Sequence, residues 1–161
     1  MTAINDNIRP TTAALGANLC VTVSIGAQRL AIPIARVEDI FAVQSVTPVP
    51  LAPSYIAGLI NLRGKVVTGI VLAKRLGLPQ PAAGRKTMAI SIGLQGETVG
   101  LLVPNVGDVL EFSPERREPI PPHLQAQWAG FAVGVHQRDQ DLVIELNVEA
   151  IVALNERAEA A

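Results

Sequence analysis

The stretch VSIGAQRLAIPIARVEDI, residues 23 to 40, carries most of the information about the fold. Its first residues complete the run LCVTVSI, residues 19 to 25, in which apolar side chains alternate with small ones. After the turn sequence GAQ, the run RLAIPI at residues 29 to 34 repeats the alternation. A period of two is typical of a strand with one buried face, so these runs predict a β-hairpin. Pro33 suggests an edge strand or a bulge, because proline cannot donate a ladder hydrogen bond.

A second stretch, ISIGLQGETVGLLVPNVGDV at residues 90 to 109, repeats the order of the first. Ser-Ile-Gly-x-Gln recurs, and after two extra residues Arg-Val-Glu-Asp-Ile is echoed by Asn-Val-Gly-Asp-Val. Hairpin, turn and following acid therefore occur twice in the same order. This repeat predicts two related β modules in one chain.

The other apolar runs are short and are separated by glycine and proline, which favours small β-barrels over a parallel α/β sheet. ARVEDI, residues 35 to 40, fits a single helical turn. Asn147 is an expected N-cap, with Glu149 in the first turn of a closing helix. The fold is therefore predicted to be mainly β, with a short C-terminal helix and a loosely ordered lead-in over residues 1 to 17.

Composition limits the possible functions. The chain has 161 residues, enough for one domain or for two small halves that share a core, and 49% of them are hydrophobic. The formal net charge of -1 gives no electrostatic signal of binding to nucleic acid. Charged residues, glycine and proline interrupt every apolar run, so we expect no membrane insertion. A single cysteine and an N-terminus without a signal-peptide pattern predict a cytoplasmic protein.

The residues that usually carry catalysis are sparse. The two histidines, His123 and His136, are predicted at the surface, and Cys20 is predicted to be a small packing residue. They lack the close spacing of zinc ligands, and phosphate-loop and nucleophile motifs are absent. We therefore predict no catalytic residue, metal or cofactor. A hydrolase that uses Glu38, Asp39 or Asp108 is an alternative hypothesis, but these carboxylates belong to no recognised catalytic motif.

One further stretch, IAGLINLRGKVV at residues 56 to 67, places Arg63 within an apolar run. Its glycines suit positive φ or close backbone approach, and Asn61 can bond its own turn. Composition alone favours an internal hydrogen bond from Arg63 to a loop carbonyl over an exposed contact.

The order Gly-x-x-Asn-Leu-Arg-Gly-x-Val-Val, followed by Ile-x-Leu and Lys-Arg-Leu-Gly-Leu, resembles the signature of CheW-like coupling proteins of bacterial chemosensory arrays. The likeness spans about residues 18 to 156, which leaves residues 157 to 161 as a tail. It includes ARVEDIF, VGLLVPNVGDVLEFSPE and LVIELNVEAIV in compatible order.

The resemblance implies two five-stranded SH3-like barrels around a shared hydrophobic core. One barrel would comprise about residues 18 to 34 plus late strands, and the other about residues 35 to 110. It also implies a non-enzymatic adaptor, recruited to receptor arrays, that links methyl-accepting chemoreceptor tips to the regulatory domain of a CheA-type histidine kinase. The partner-binding residues implied are Val37, Glu38, Gly58, Asn61, Leu62, Arg63 and Gly64.

The sequence departs from the family pattern after the second glycine. Where the family often has an acid, this chain has Val71, and the following basic position is Ala73. A generic small β-barrel that binds peptides, or a CheW-like regulator of a pilus- or development-linked pathway, is the alternative interpretation.

Overall fold

A computed structural model of the protein describes residues 18–79, 87–94, 96–128, 130–138 and 140–153. The predicted lead-in and the C-terminal tail lie outside these ranges. The described residues form mainly strands, in one sheet of five and one of six. The mainly β prediction is therefore confirmed.

The first sheet has the order β10-β11-β2-β1-β9 and is antiparallel except where β11 pairs with β2. Its strands are β1 (Leu19–Ile25), β2 (Gln28–Pro33), β9 (Asn105–Glu111), β10 (Ala132–Arg138) and β11 (Asp141–Leu146). The second sheet has the order β3-β7-β8-β6-β5-β4 and is antiparallel except where β6 pairs with β8. Its strands are β3 (Val37–Ala42), β4 (Val46–Thr47), β5 (Ile56–Leu62), β6 (Lys65–Val71), β7 (Met88–Leu94) and β8 (Glu97–Val103).

In the part of the chain that the structure describes, three α-helices of one turn each connect or close the sheets. They are α1 (Leu72–Arg75), α2 (Gln125–Trp128) and α3 (Val148–Ile151). Asn147 Oδ1 accepts the Ala150 amide hydrogen at 3.2 Å, so the predicted N-cap of the closing helix is confirmed.

The first hairpin forms as predicted, with Ile25 paired to Gln28 across a two-residue turn. Two details differ from the predictions. β2 is an inner strand rather than an edge strand. Pro33 ends β2 and lies beyond the segment Arg29–Ala31 that pairs with β11, so the missing amide hydrogen of proline costs no hydrogen bond to β11. The helical turn expected in ARVEDI covers only Ile34–Arg36, because the residues from Val37 onward pair with β7 as β3.

The two repeated modules exchange their third strands. β3 follows the first hairpin but pairs with β7 of the second module, and β9 follows the second hairpin but pairs with β1. The registers are equivalent: the pairs are Val37–Ile92, Ile40–Ile90 and Phe41–Ala89 in one sheet, and Val106–Val23, Val109–Val21 and Leu110–Cys20 in the other. The predicted repeat is therefore a structural one.

Buried hydroxyl groups hold both exchanged strands at equivalent places. Thr22 Oγ1 donates to the Asp108 carbonyl at 2.8 Å, and Ser91 Oγ donates to the Asp39 carbonyl at 3.4 Å. In this register the hairpin ends Ile25 and Leu94 are equivalent. The Ser-Ile-Gly-x-Gln match is therefore two residues out of structural register, and Gly93 lies in a strand rather than in the turn.

Within the described ranges, apolar side chains form three clusters. The largest, the shared core, takes buried residues from both sheets and from α1, α2 and α3, among them Val23, Ile32, Ile70, Leu72, Ile90, Trp128 and Ile151. The first barrel has its own interior of Cys20, Ala31, Phe112 and Val143. The second has an interior of Ile60, Val67, Ala89 and Leu102. The protein thus consists of two SH3-like barrels around a shared hydrophobic core, as predicted. The second sheet has six strands rather than the predicted five, because the two-residue strand β4 adds to its edge.

The boundaries of the two subdomains stay a prediction. The second sheet itself ends at Val103, because β9 returns to the first sheet.

Cys20 is a packing residue in the first barrel, 4% exposed, as predicted. Burial raises the pKa of its thiol from 9.0 to about 12, with a smaller contribution from the negative charge of Glu145. The thiolate is therefore disfavoured in the folded state, so the associated stability is present below pH 9 and is lost as the pH rises towards 12.

We expect iodoacetamide to leave Cys20 unmodified at pH 8 in the native protein and to modify it fully in urea, because only the unfolded thiol ionises readily. Mass spectrometry after timed quenching measures this. Rapid labelling of the native protein would contradict the described burial.

Candidate functional site

The tip of the β5–β6 hairpin is a two-residue turn made of Arg63 and Gly64. Leu62 pairs with Lys65, and the turn residues have φ values of 52° and 83°. Two successive positive φ values are those of a type I′ turn, whose twist matches that of paired strands. Asn61 Oδ1 accepts the Gly64 amide hydrogen at 2.8 Å, so the predicted bond from Asn61 to its own turn is confirmed.

Arg63 is unusual in this turn, because the left-handed conformation costs a residue with a Cβ about 1 kcal/mol, whereas asparagine or glycine adopts it readily. Its side chain is 75% exposed, and its Nη2 lies 2.8 Å from Asp39 Oδ2. The composition-based preference for an internal bond to a loop carbonyl is therefore wrong. A strained, rigid turn presents the guanidinium to solvent, an arrangement typical of functional positions.

Asp39 on β3 orients this guanidinium. Its Oδ1 accepts the Ile40 amide hydrogen at 2.8 Å, and its side chain is 18% exposed. An ion pair as exposed as Arg63–Asp39 contributes only about 0 to 1 kcal/mol to stability. The pair therefore directs the guanidinium more than it holds the fold. Sequence reasoning considered Asp39 only as a catalytic carboxylate, and nothing in the sequence pointed to its pairing with Arg63.

Val37 and Glu38, predicted from the family resemblance, precede Asp39 on the same strand. Val37 is half-buried and packs against the shared core. Glu38 is exposed, accepts the Thr98 hydroxyl hydrogen at 3.3 Å, and its carboxylate lies over Gly93. The structure therefore brings the start of β3 and the Arg63 turn together through Asp39.

Gly58 and Leu62 lie on β5, the strand that leads into the turn. Gly58 has φ 140°, and a Cβ at this position would overlap the carbonyl oxygen of Thr47. This glycine therefore allows β4 to pair closely with β5. Leu62 is half-buried and packs into the interior of the second barrel.

Exposed apolar side chains surround the turn. Leu59 and Asn61 share the outer face of β5, and Val66 lies opposite Asn61 on β6. We call Leu59, Asn61, Arg63 and Val66 the docking face. The loop that follows β4 adds exposed Val49 and fully exposed Leu51, which has φ 64°. Sequence reasoning missed these apolar residues, because the alternation of β5 does not show which face is covered.

A depression of about 360 Å³ lies beside Asn61 at the end of β3. It is lined by Phe41, Ala42, Val43, Gln44, Ser45, Ile60 and Asn61. The equivalent place in the first barrel holds a depression of about 460 Å³ that includes Phe112, His136 and Arg138.

His136 contradicts its prediction as a surface residue, since it is only 3% exposed. Both faces of β10 are covered here: Val135 faces the shared core, and the ring of His136 lies 5.0 Å from that of Phe112. Its Nε2 is 2.8 Å from Glu145 Oε1, which also accepts from Arg117 Nε at 3.2 Å. The hydrogen bond to Glu145 and the ring contact with Phe112 explain how a histidine can be buried at this position. His123 is exposed, as predicted.

The carboxylates of the hydrolase hypothesis are engaged or dispersed. Asp39 binds Arg63, Glu38 binds Thr98, and Asp108 is exposed on β9 of the other sheet. In the described ranges, no three His, Cys, Asp or Glu side chains are grouped so as to hold a metal ion. None of the helices in the described part of the chain has the length and hydropathy required to cross a bilayer.

The departures from the family pattern have a packing explanation. Val71 is half-buried and contacts both the shared core and the interior of the second barrel. Ala73 is buried in the shared core. Apolar residues therefore fill the positions at which the family signature carries charge.

Two barrels with a shared core and a rigid, exposed hairpin tip define a β-barrel protein whose most distinctive surface is suited to protein contacts. The protein-family model described as "CheW-like domain" matches residues 19–156 of this chain. The chain belongs to the CheW-like family.

Individual related proteins agree with this assignment. The chain is 32% identical over 132 residues to the "Probable chemotaxis protein CheW" of Rhizobium etli, covering 82% of this chain and 85% of that protein. It is 28% identical over 145 residues to the "Chemotaxis protein CheW" of Rhizobium meliloti, covering 90% and 94%. The crystal structure of the scaffolding protein TtCheW from Thermoanaerobacter tengcongensis superimposes with a TM-score of 0.76 at 27% identity, covering 86% and 94%.

Proposed function

We propose that the protein is a non-enzymatic chemotaxis adaptor that couples the cytoplasmic tips of methyl-accepting chemoreceptors to the regulatory domain of a CheA-type histidine kinase. Membership of the CheW-like family supports the adaptor role, since relatives bear the names chemotaxis protein and scaffolding protein. The observation that carries the proposal is the exposed guanidinium of Arg63, held on a strained turn by Asp39. By this proposal the protein is cytoplasmic and is recruited to receptor arrays.

The docking face has the composition of a protein-binding surface. Leu59 and Val66 offer apolar area, and Arg63 offers several donors that a carboxylate or carbonyl of the partner can accept. A guanidinium that is already oriented loses less conformational entropy on binding than a free one. We assign the kinase contact to this face, with Asn61 and Gly64 shaping the turn and Val37, Glu38, Gly58 and Leu62 supporting it.

Reconstitution tests the proposal. Purified kinase and a chemoreceptor cytoplasmic fragment are combined with and without this protein, and the rate of kinase autophosphorylation is measured. We expect the receptor fragment to alter that rate only when the protein is present. An unchanged rate, together with failure to bind the kinase regulatory domain in a pull-down, would refute the adaptor role. Binding of an unrelated peptide alone would instead favour a generic peptide-binding barrel.

A further inference from the structure

Arg75, the last residue of α1, links the two barrels. Its Nε donates to the Ile151 carbonyl at 3.0 Å, and its Nη2 donates to the carbonyls of Ala150 and Ala153 at 3.2 and 3.3 Å. These acceptors lie at the end of α3, where helix carbonyls lack intrahelical partners. A cation from the second barrel therefore caps the closing helix of the first.

Two aromatic rings flank the same guanidinium. Its central carbon lies 4.4 Å from the centre of the Tyr55 ring and 5.1 Å from that of Phe131. Tyr55 directly precedes β5, and Phe131 directly precedes the equivalent strand β10. Likewise α1 follows β6, and α3 follows the equivalent strand β11. Arg75 thus lies where equivalent elements of the two barrels meet, and it makes this junction asymmetric.

The directional contacts at this junction suit it for fixing an angle. The shared core joins the barrels through apolar contacts, which are not directional. A planar guanidinium that lies between two aromatic rings and makes three hydrogen bonds constrains both the distance between the two barrels and their relative orientation. An ion pair between Arg36 and Glu149 at 2.8 Å has both side chains well exposed and constrains the barrels less.

We propose that Arg75 is a positioning residue that sets the orientation of the two barrels, and that this orientation is required for transmitting receptor state to the kinase. The second part rests on the proposed adaptor function. Binding of each partner alone engages its own surface and is expected to survive a change of angle. Control of the kinase by the receptor, in contrast, depends on how the two binding surfaces are oriented relative to each other, because energetic coupling links two distinct sites.

Spin-label distances test the orientation without any partner. Labels are attached at Glu97→Cys in the second barrel and Val133→Cys in the first, both exposed positions. Native Cys20 stays unlabelled, because burial raises its thiol pKa to about 12. We expect a narrow distance distribution in the native protein and a shifted or broadened one in Arg75→Met.

Tyr55→Phe is the matched control, because it keeps the ring beside Arg75 and removes a buried hydroxyl that has no hydrogen-bond partner among the described residues. We expect its distribution to match that of the native protein. Arg75→Lys keeps the charge but loses the planar fork, so an intermediate distribution is expected; this variant also serves if Arg75→Met fails to fold. Native distributions in every folded Arg75 variant would overturn the proposal.

The functional arm uses the reconstituted kinase and receptor fragment. We expect Arg75→Met to bind each partner within about twofold of the native affinity but to reduce receptor control of the kinase about fivefold or more. An equal loss of pairwise binding and control would show a merely structural role and overturn the inference. If the native protein itself binds neither partner, the adaptor function fails, while the distance measurement still decides the orientation of the barrels.

Discussion

Replacing Arg63 with glutamate lowers the affinity for the kinase regulatory domain by about tenfold or more, which corresponds to about 1.4 to 3 kcal/mol. The substitution removes the donors of the docking face and places a second carboxylate beside Asp39, whose Oδ2 lies 2.8 Å from the native guanidinium. The two like charges repel, so the new side chain turns away from the position that Arg63 occupied. Titration calorimetry with the purified regulatory domain measures the change.

Arg63→Asn separates binding from folding. Asparagine tolerates the positive φ at this position, so we expect the free energy of unfolding to stay within about 1 kcal/mol of the native value. Binding should nevertheless weaken, because the guanidinium is gone. Native affinity in both variants would show that the kinase contact lies elsewhere on the protein.

Replacing Gly58 with alanine destabilises the fold by about 3 kcal/mol, or about 6 to 12 °C in Tm for a chain of this size. The added Cβ would overlap the Thr47 carbonyl oxygen, and the φ of 140° is unfavourable for alanine. Relief requires β4 to move away from β5, which breaks their pairing. Urea unfolding followed by the fluorescence of Trp128, the one tryptophan and 1% exposed, measures the loss.

Gly64→Ala provides the comparison, since Gly64 also has a positive φ, but no described residue other than its chain neighbours lies within 4 Å of the added Cβ. Only the backbone penalty of about 1 kcal/mol then applies. Equal destabilisation by the two substitutions would show that close approach of β4 is not the reason for glycine at position 58.

Local patterns in the sequence were sufficient for much of the fold. Alternating residues marked β1 and β2, Asn147 marked the start of α3, and the recurring order of motifs revealed the repeat. These features depend on neighbours within a few residues, where periodicity and capping act directly. The turn chemistry of Asn61 and Gly64 was predictable for the same reason.

Features that depend on distant pairing were not predictable in this way. The exchange of β3 and β9 is specified by which apolar faces the completed barrels bury, and ARVEDI alone fits a helical turn equally well. His136 looked like a surface residue because its partners, Phe112 and Glu145, come from other segments, as does Arg117, which pairs with Glu145. The pairing of Asp39 with Arg63 is likewise a consequence of tertiary structure.

The exchanged strands bear on how such a chain can originate. A single ancestral unit, whose third strand and following hairpin extend away from its first hairpin, could complete a barrel only by association with a second copy that offers the same strands in return. Duplication and fusion of its gene would turn that reciprocal homodimer into one polypeptide. Afterwards each half was free to diverge, so that one could acquire Arg75 and the other the carbonyls that receive it.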